Sequence, residues 1–182
     1  MKITRINGIG TSDTMENPER IEAVFVAGGA IGVGEPVIPH FANATVANRS
    51  KTVIAATTAA ATTVAGIYEG FGGSGAVNAT AYDTAGTTFL PGQAAVAGDI
   101  IMVTVYGETR PRVNLPANNG NNIVAGGPLT ASKTAAKLEN QTALTGADAA
   151  GLVSPMVALE ASANATGSAI ANRSVRCFVR LL

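Results

Sequence analysis

The sequence predicts an all-β protein, a sandwich or barrel of short strands with an extended N-terminal arm. Three observations predict it. Apolar residues come in short runs rich in Val and Ile, punctuated by Gly, Pro and Asn. No long stretch carries an apolar stripe with the helical period of about 3.6 residues. Bulky side chains are scarce: there is no Trp, with 3 Tyr and 5 Phe among 182 residues, while Ala, Thr and Gly abound. Burial contributes roughly 25 cal/mol per Å², and small side chains offer little area. Such a chain leans on backbone ladders and on partners. Its length suits one domain with a real core, divided here into an arm (1–20) and a single β-rich body (21–182).

Residues 1–20 stand apart because they hold many of the charges and no Ala. Ile3, Ile6 and Ile9 are separated by polar residues and glycines, and Gly8, Gly10 and Pro18 oppose a helix. An extended arm is expected, with a disordered terminus as the alternative. From Glu22 onward the runs are strand-like. "EAVFVA" (22–27) is a strand, "GGAIGVGEP" a turn-rich link into "VIPHF", and "KTVIAAT" (51–57) and "TTVAGIYEG" (62–70) are further strands. "GDIIMVTVY" (98–106) is the strongest candidate, apolar on both faces and rich in β-branched residues. "RPRVNLP", "NNIVAGGPLTAS" and "SPMVALEAS" (154–162) follow. In "SVRCFVRLL", Val175, Cys177, Val179 and Leu181 alternate with Arg176, Phe178 and Arg180, which predicts a half-buried strand with arginines on its wetter face. The best helix candidate is the short "KTAAKLEN" at 133–140.

One pattern recurs. Asn-Ala-Thr followed by Ala-Asn-Arg-Ser occurs at 43–50 and again at 164–174, each time before an apolar run. Asn suits turns and Ser bonds to nearby backbone. The repeat is therefore expected to be a loop-to-strand device, or a coincidence of biased composition, ahead of a duplicated unit. Neither copy carries a carboxylate or the His, which argues against a repeated catalytic element.

Charge narrows the partners. Lys+Arg and Asp+Glu number 12 each, so the basic excess of a nucleic-acid binder is missing. The one basic feature is the end of the chain, where Arg173, Arg176 and Arg180 follow Glu160 with no further acid. No apolar stretch approaches a membrane span, and the first twenty residues show no apolar core of a signal peptide. The Asn-x-Ser/Thr triplets at Asn43, Asn48, Asn78, Asn164 and Asn172 then follow from Asn and Thr richness.

Catalytic and cofactor chemistry find little footing. The lone His40 has no local nucleophile or acid for a triad. The lone Cys177 excludes an internal disulfide and falls on the inward face of its strand, as a small buried hydrophobe would. One His and one Cys do not make an ordinary zinc site, and no Asp-x-Asp calcium spacing occurs. "GFGGSG" (70–75) matches Gly-x-Gly-x-x-Gly, but the segment after it is full of Thr and Gly and ends at Pro91, so no helix opens to receive a pyrophosphate. A glycine turn between strands is expected instead. "GGAIGVG" lacks the Gly-Lys-Ser/Thr ending of a phosphate loop. No cofactor, no metal and no enzymatic activity are expected.

The later segments carry a resemblance. "AVAGDIIMVTVYGETRPRV", "NNIVAGGPLTASKTAAK" and "SPMVALEASANATGSAIANRSVRCFVRLL", in that order, resemble the head decoration, or capsid cement, proteins of tailed bacteriophages. The matching positions are Gly98, Asp99 and Gly107; Gly126, Gly127, Pro128 and Leu129; and Ala158, Leu159 and Glu160. "VAGIYEG" (64–70) resembles the first return strand of that family, and Gly127 stands where an acidic residue is usual. The likeness spans residues 22–182. It implies a β-rich virion protein, made in the host bacterial cytoplasm, that sits on the outer surface of an icosahedral capsid. There it would bridge neighbouring major capsid proteins as a small homo-oligomer, a trimer ahead of a dimer. It implies no nucleic-acid or membrane partner.

The family match assigns no contact residues. The arm supplies candidates: Ile3, Ile6 and Ile9 have little else to bury them and could lie on a neighbour. Arg173, Arg176 and Arg180 could pair with acidic capsid loops, their alternative being ordinary solvated charge. Two other functions compete. One is a head-fibre base or surface adhesin, whose sugar stacking would draw on Tyr68, Phe71, Tyr82 and Phe89. The other is an enzyme with an unrecognised site.

Overall fold

The computed structural model describes residues 3–6, 20–56, 64–77, 92–118, 122–132, 136–140 and 156–181. These form β1 (Ile3–Ile6), β2 (Arg20–Ala27), β3 (Pro36–Pro39), β4 (Thr52–Ala55), β5 (Gly66–Tyr68), β6 (Ile100–Thr109), β7 (Arg112–Leu115), β8 (Pro128–Ala131), β9 (Leu138–Asn140), β10 (Met156–Ala158), β11 (Ile170–Ser174) and β12 (Cys177–Arg180). The only helical turn among the described residues is a 3₁₀ turn at Val46–Asn48. The all-β fold expected from the sequence is the fold observed.

All twelve strands belong to one mixed sheet, ordered β1-β2-β4-β3-β5-β6-β12-β10-β8-β9-β7-β11. β2 also pairs with β6, so β2-β4-β3-β5-β6 closes on itself as a small barrel. Two pairs are parallel, β2 with β4 and β7 with β9. The barrel core is Ala23, Phe25, Val33, Val37, Val53, Tyr68, Ile101 and Val103 with their neighbours. A second core gathers Val113, Leu115, Leu129, Leu138, Met156, Val175, Cys177 and Val179. β5 serves both: Tyr68 points into the first core and Ile67 into the second, as strand alternation dictates.

A long ribbon joins the halves. β12 runs antiparallel to β6, with Cys177 opposite Thr109, and β11 runs antiparallel to β7, with Ser174 opposite Arg112. The chain bends at Pro111 on one side and at Val175 on the other. The Val175 amide still donates to the Pro111 carbonyl at 3.2 Å, so one register crosses the corner. The sequence alternation in the last strand holds, with Val175, Cys177 and Val179 buried and Arg176 and Arg180 exposed.

Three sequence expectations change. The helix expected within 133–140 is a strand at Leu138–Asn140; Leu138 is buried opposite Val113 and Ala131, and sheet pairing overrides local helix propensity. The arm is extended at Ile3–Ile6 but is hydrogen-bonded to the body, with Ile3 opposite Ala23 and Ile6 opposite Arg20. The repeat splits in two. Both Asn-Ala-Thr copies make the same Asx turn: Asn43 Oδ1 accepts from the Thr45 amide at 3.0 Å, and Asn164 Oδ1 from the Thr166 amide at 3.1 Å. The Ala-Asn-Arg-Ser copies diverge, the first lying in and after the 3₁₀ turn and the second within β11. Asn164 is buried, and its amide nitrogen donates to the Leu115, Pro116 and Ser168 carbonyls, each at 3.0 Å.

Candidate interaction surface

The outer face of the β2–β6 ladder changes character along its length. Directly opposed residues share a face. The opposed pairs are Glu22 with Thr104, Val24 with Met102 and Val26 with Ile100. At one end Glu22 and Thr104 are buried beneath a polar lock. Arg20 pairs with both Glu22 and Glu69, and Glu69 also accepts from the Thr109 hydroxyl and, at 3.3 Å, from the Arg110 amide. At the other end the lock gives out. Val24 and Met102 are half-buried, and Ile100 is 68% exposed.

Phe71 extends this apolar end. The Phe71 carbonyl accepts from the Met102 amide at 3.1 Å, and its ring is 52% exposed. The glycine run beside it explains the placement. Gly72 has φ +89°, and a Cβ there would come within 2.2 Å of the Ile100 carbonyl oxygen. Only glycine lets the chain lie this close to β6. The turn is then pinned by Asp99, whose carboxylate accepts from the Val96 amide at 2.8 Å and from the Ser74 amide and hydroxyl at 2.9 and 2.8 Å. Those donors hold the Asp99 carboxyl below its ordinary range. The Gly-x-Gly-x-x-Gly stretch thus serves to hold a loop against a strand.

A second apolar cluster lies on the other half of the sheet. Val157 on β10 stands opposite Phe178 on β12, and Phe178 meets Tyr106 edge-on at 5.2 Å. Leu159 and Val124 are exposed nearby, tied in by Leu159 N to Arg176 O and Gly126 N to Ala158 O, both 2.8 Å. Ion pairs rim it: Arg176 with Glu160 at 3.2 Å and with Glu108 at 3.7 Å, and Arg110 with Glu160 at 3.1 Å.

The residues proposed from sequence do not converge on one spot. Ile3 and Ile6 lie in β1, and Ile9 falls outside the described residues. Arg173 is opposite Val113, beyond the corner. Arg176 and Arg180 flank Phe178 on the face of the second cluster, Arg176 already engaged by its own carboxylates and Arg180 exposed opposite Tyr106. Val26 and Ile100 were not among them, and Phe71 was offered only for sugar stacking. The signal for Ile100 was "IIMV", apolar on both faces of one strand, which marks a strand meant to be covered twice.

The other sequence candidates settle into structural roles. Tyr68 is fully buried, its hydroxyl donating to the Gln93 carbonyl at 2.6 Å, so it offers no ring to a sugar; Tyr82 and Phe89 lie outside the described residues. His40 follows β3 with Nδ1 buried beside Gly28, where it makes no hydrogen bond to a carboxylate among the described residues. Cys177 is buried, and burial pushes its thiol up, away from the reactive thiolate. Among the described residues no three of His, Cys, Asp and Glu gather as a metal cluster, and no helix is long and apolar enough to cross a membrane. Compared with protein-family models, with curated proteins and with solved structures, the chain finds no match.

Proposed function

We propose that this is a structural virion protein that binds the outer surface of an icosahedral phage capsid and bridges neighbouring major-capsid subunits. The observation that carries the reading is the pair of exposed apolar faces, one on each half of a single sheet and joined by one continuous ladder. A bridge needs two faces held at a fixed separation. The segment resemblance supplies the class of partner. A ligand that binds only the assembled lattice stabilises it by mass action, and repeated sites multiply modest contacts. Arg180, exposed beside Phe178, gives the second face a cation suited to acidic capsid loops.

Co-sedimentation tests this. Purified protein is spun with shells lacking it and, separately, with free capsid subunits. It should pellet with shells alone, and Val157→Asp with Leu159→Asp should weaken that binding tenfold or more. Binding to neither shells nor subunits, with retention on a glycan array, would move the assignment to an adhesin.

A further inference from the structure

The loop between β3 and β4 projects from the barrel. From Phe41 to Lys51 nearly every residue is exposed, Phe41 by 55% and Val46 by 70%. Its own hydrogen bonds hold it in one shape. Beside the Asn43 turn and the 3₁₀ turn, the Lys51 amide donates to the Asn48 carbonyl at 3.0 Å, and Arg49 Nε donates to the Asn43 carbonyl at 3.1 Å. That last bond keeps the Arg49 guanidinium against the loop that carries Phe41 and Val46. No acid occurs in the sequence between Glu35 and Glu69. Among the described residues, no carboxylate stands within ion-pair distance of Arg49 or Lys51. Two exposed apolar side chains beside two unpaired cations fit an acidic segment that carries an apolar residue of its own.

The chain holds such a segment close by. Residues 7–19 contain Asp13, Glu16 and Glu19, three of the 12 acids, with no Lys, Arg or His, and Met15 falls between the first two. Carboxylates of the body already have partners there, from Glu22 and Glu69 on Arg20 to Glu160 on Arg176. The segment also has the right length and attachment. It joins β1, which ends at Ile6 opposite Arg20, to the start of β2. β1 and β4 share one edge of β2, and the Lys51 carbonyl accepts from the Val26 amide at 2.8 Å. From Arg20 to Val26 along β2 is roughly 20 Å, at about 3.3 Å per residue. Asp13 is the middle of the segment, as far in sequence from Ile6 as from Arg20. An extended chain carries it about 23 Å from either end, which reaches Lys51 with little to spare.

We propose that residues 7–19 dock on the β3–β4 loop of the same chain, with Asp13 and Glu16 on Lys51 and Arg49 and with Met15 against the apolar side chains of Phe41 and Val46. The contact fixes the arm at its middle, as β1 fixes it at its start, along the edge of β2 that β1 and β4 share. It does not rest on the bridging reading.

Carbodiimide cross-linking of the full-length protein at low micromolar concentration, with the linked peptides identified by mass spectrometry, tests it. This reagent joins a carboxylate to an amine only where the two touch. At low salt Lys51 should be joined to Asp13 or Glu16 in the monomer band. The yield should fall about threefold at 1 M salt, where the Debye length is roughly 3 Å. Asp13→Asn with Glu16→Gln should abolish the link, and exchanging the charges, Lys51→Glu with Asp13→Lys, should give a link between the same two positions. Absence of any link from Lys51 to this segment at low salt overturns the proposal. So does a link found only in a dimer band, which would assign the segment to a second copy, or a yield that 1 M salt leaves unchanged. None of these results involves shells, so the co-sedimentation experiment is read separately.

Discussion

At Asp99 one carboxylate holds together the turn that presents Phe71. It accepts three hydrogen bonds from Val96 and Ser74, and they keep it ionised at lower pH than a free aspartate. The folded value lies below the unfolded value of about 3.9. Its stabilisation is therefore complete above about pH 4 and is lost as the pH falls through the folded value. Asp99→Ala should lower the thermal midpoint at pH 7, and the gap to wild type should close as the pH is taken toward 2. A gap that stays constant across that range would show that the loop does not depend on the charge. Elsewhere a carboxylate moves the other way: burial raises Glu35, against the opposing pull of the Gly32 amide and of Arg112 and Lys137. That carboxylate sits where the β2–β3 turn meets β7, with the Arg112 amide donating to the Gly34 carbonyl at 2.7 Å.

At the scale of elements, short strands draw their stability from what they bury. β9 has three residues, and Leu138 is its anchor, fully buried in the second core. Leu138→Ala should cost about 3 kcal/mol in chemical denaturation, and an effect under 1 kcal/mol would mean that β9 is dispensable. Leu138 also marks where sequence legibility ended. β12 was readable because period-two burial is written in its consecutive residues, and β2 and β6 because they are unbroken runs of apolar, largely β-branched residues. β9 and β11 were not, because pairing and not local alternation makes them strands: Leu138 stands opposite Ala131 of the preceding β8 and Val113 of β7, and Ile170 opposite Leu115. The pairing of β1 with β2 was hidden for the same reason. Of the candidate surface, Arg176 and Arg180 were legible from alternation. The exposure of Ile100 depends on where the Arg20–Glu69 lock stops, and only the folded register reveals that.

For the whole molecule, β1 occupies the edge of β2 beside β4, so the first residues do more than trail from the body. Removing residues 1–19 while keeping Arg20 should leave a folded protein by circular dichroism, because β2 to β12 and the core residues named above all follow it. It should also bind shells poorly if the segment containing Ile9 reaches a neighbour. Undiminished shell occupancy after the deletion would remove the arm from the binding surface. The ribbon of β6–β7 against β11–β12 has a further consequence. Tension that separates the two halves would run through two covalent backbones, because both strands of the ribbon cross the corner, and the Val175–Pro111 bond ties the two together at the bend. A hinged linker would offer one such backbone and no bond between strands, so this joint keeps its two halves together even when single cross-strand bonds open.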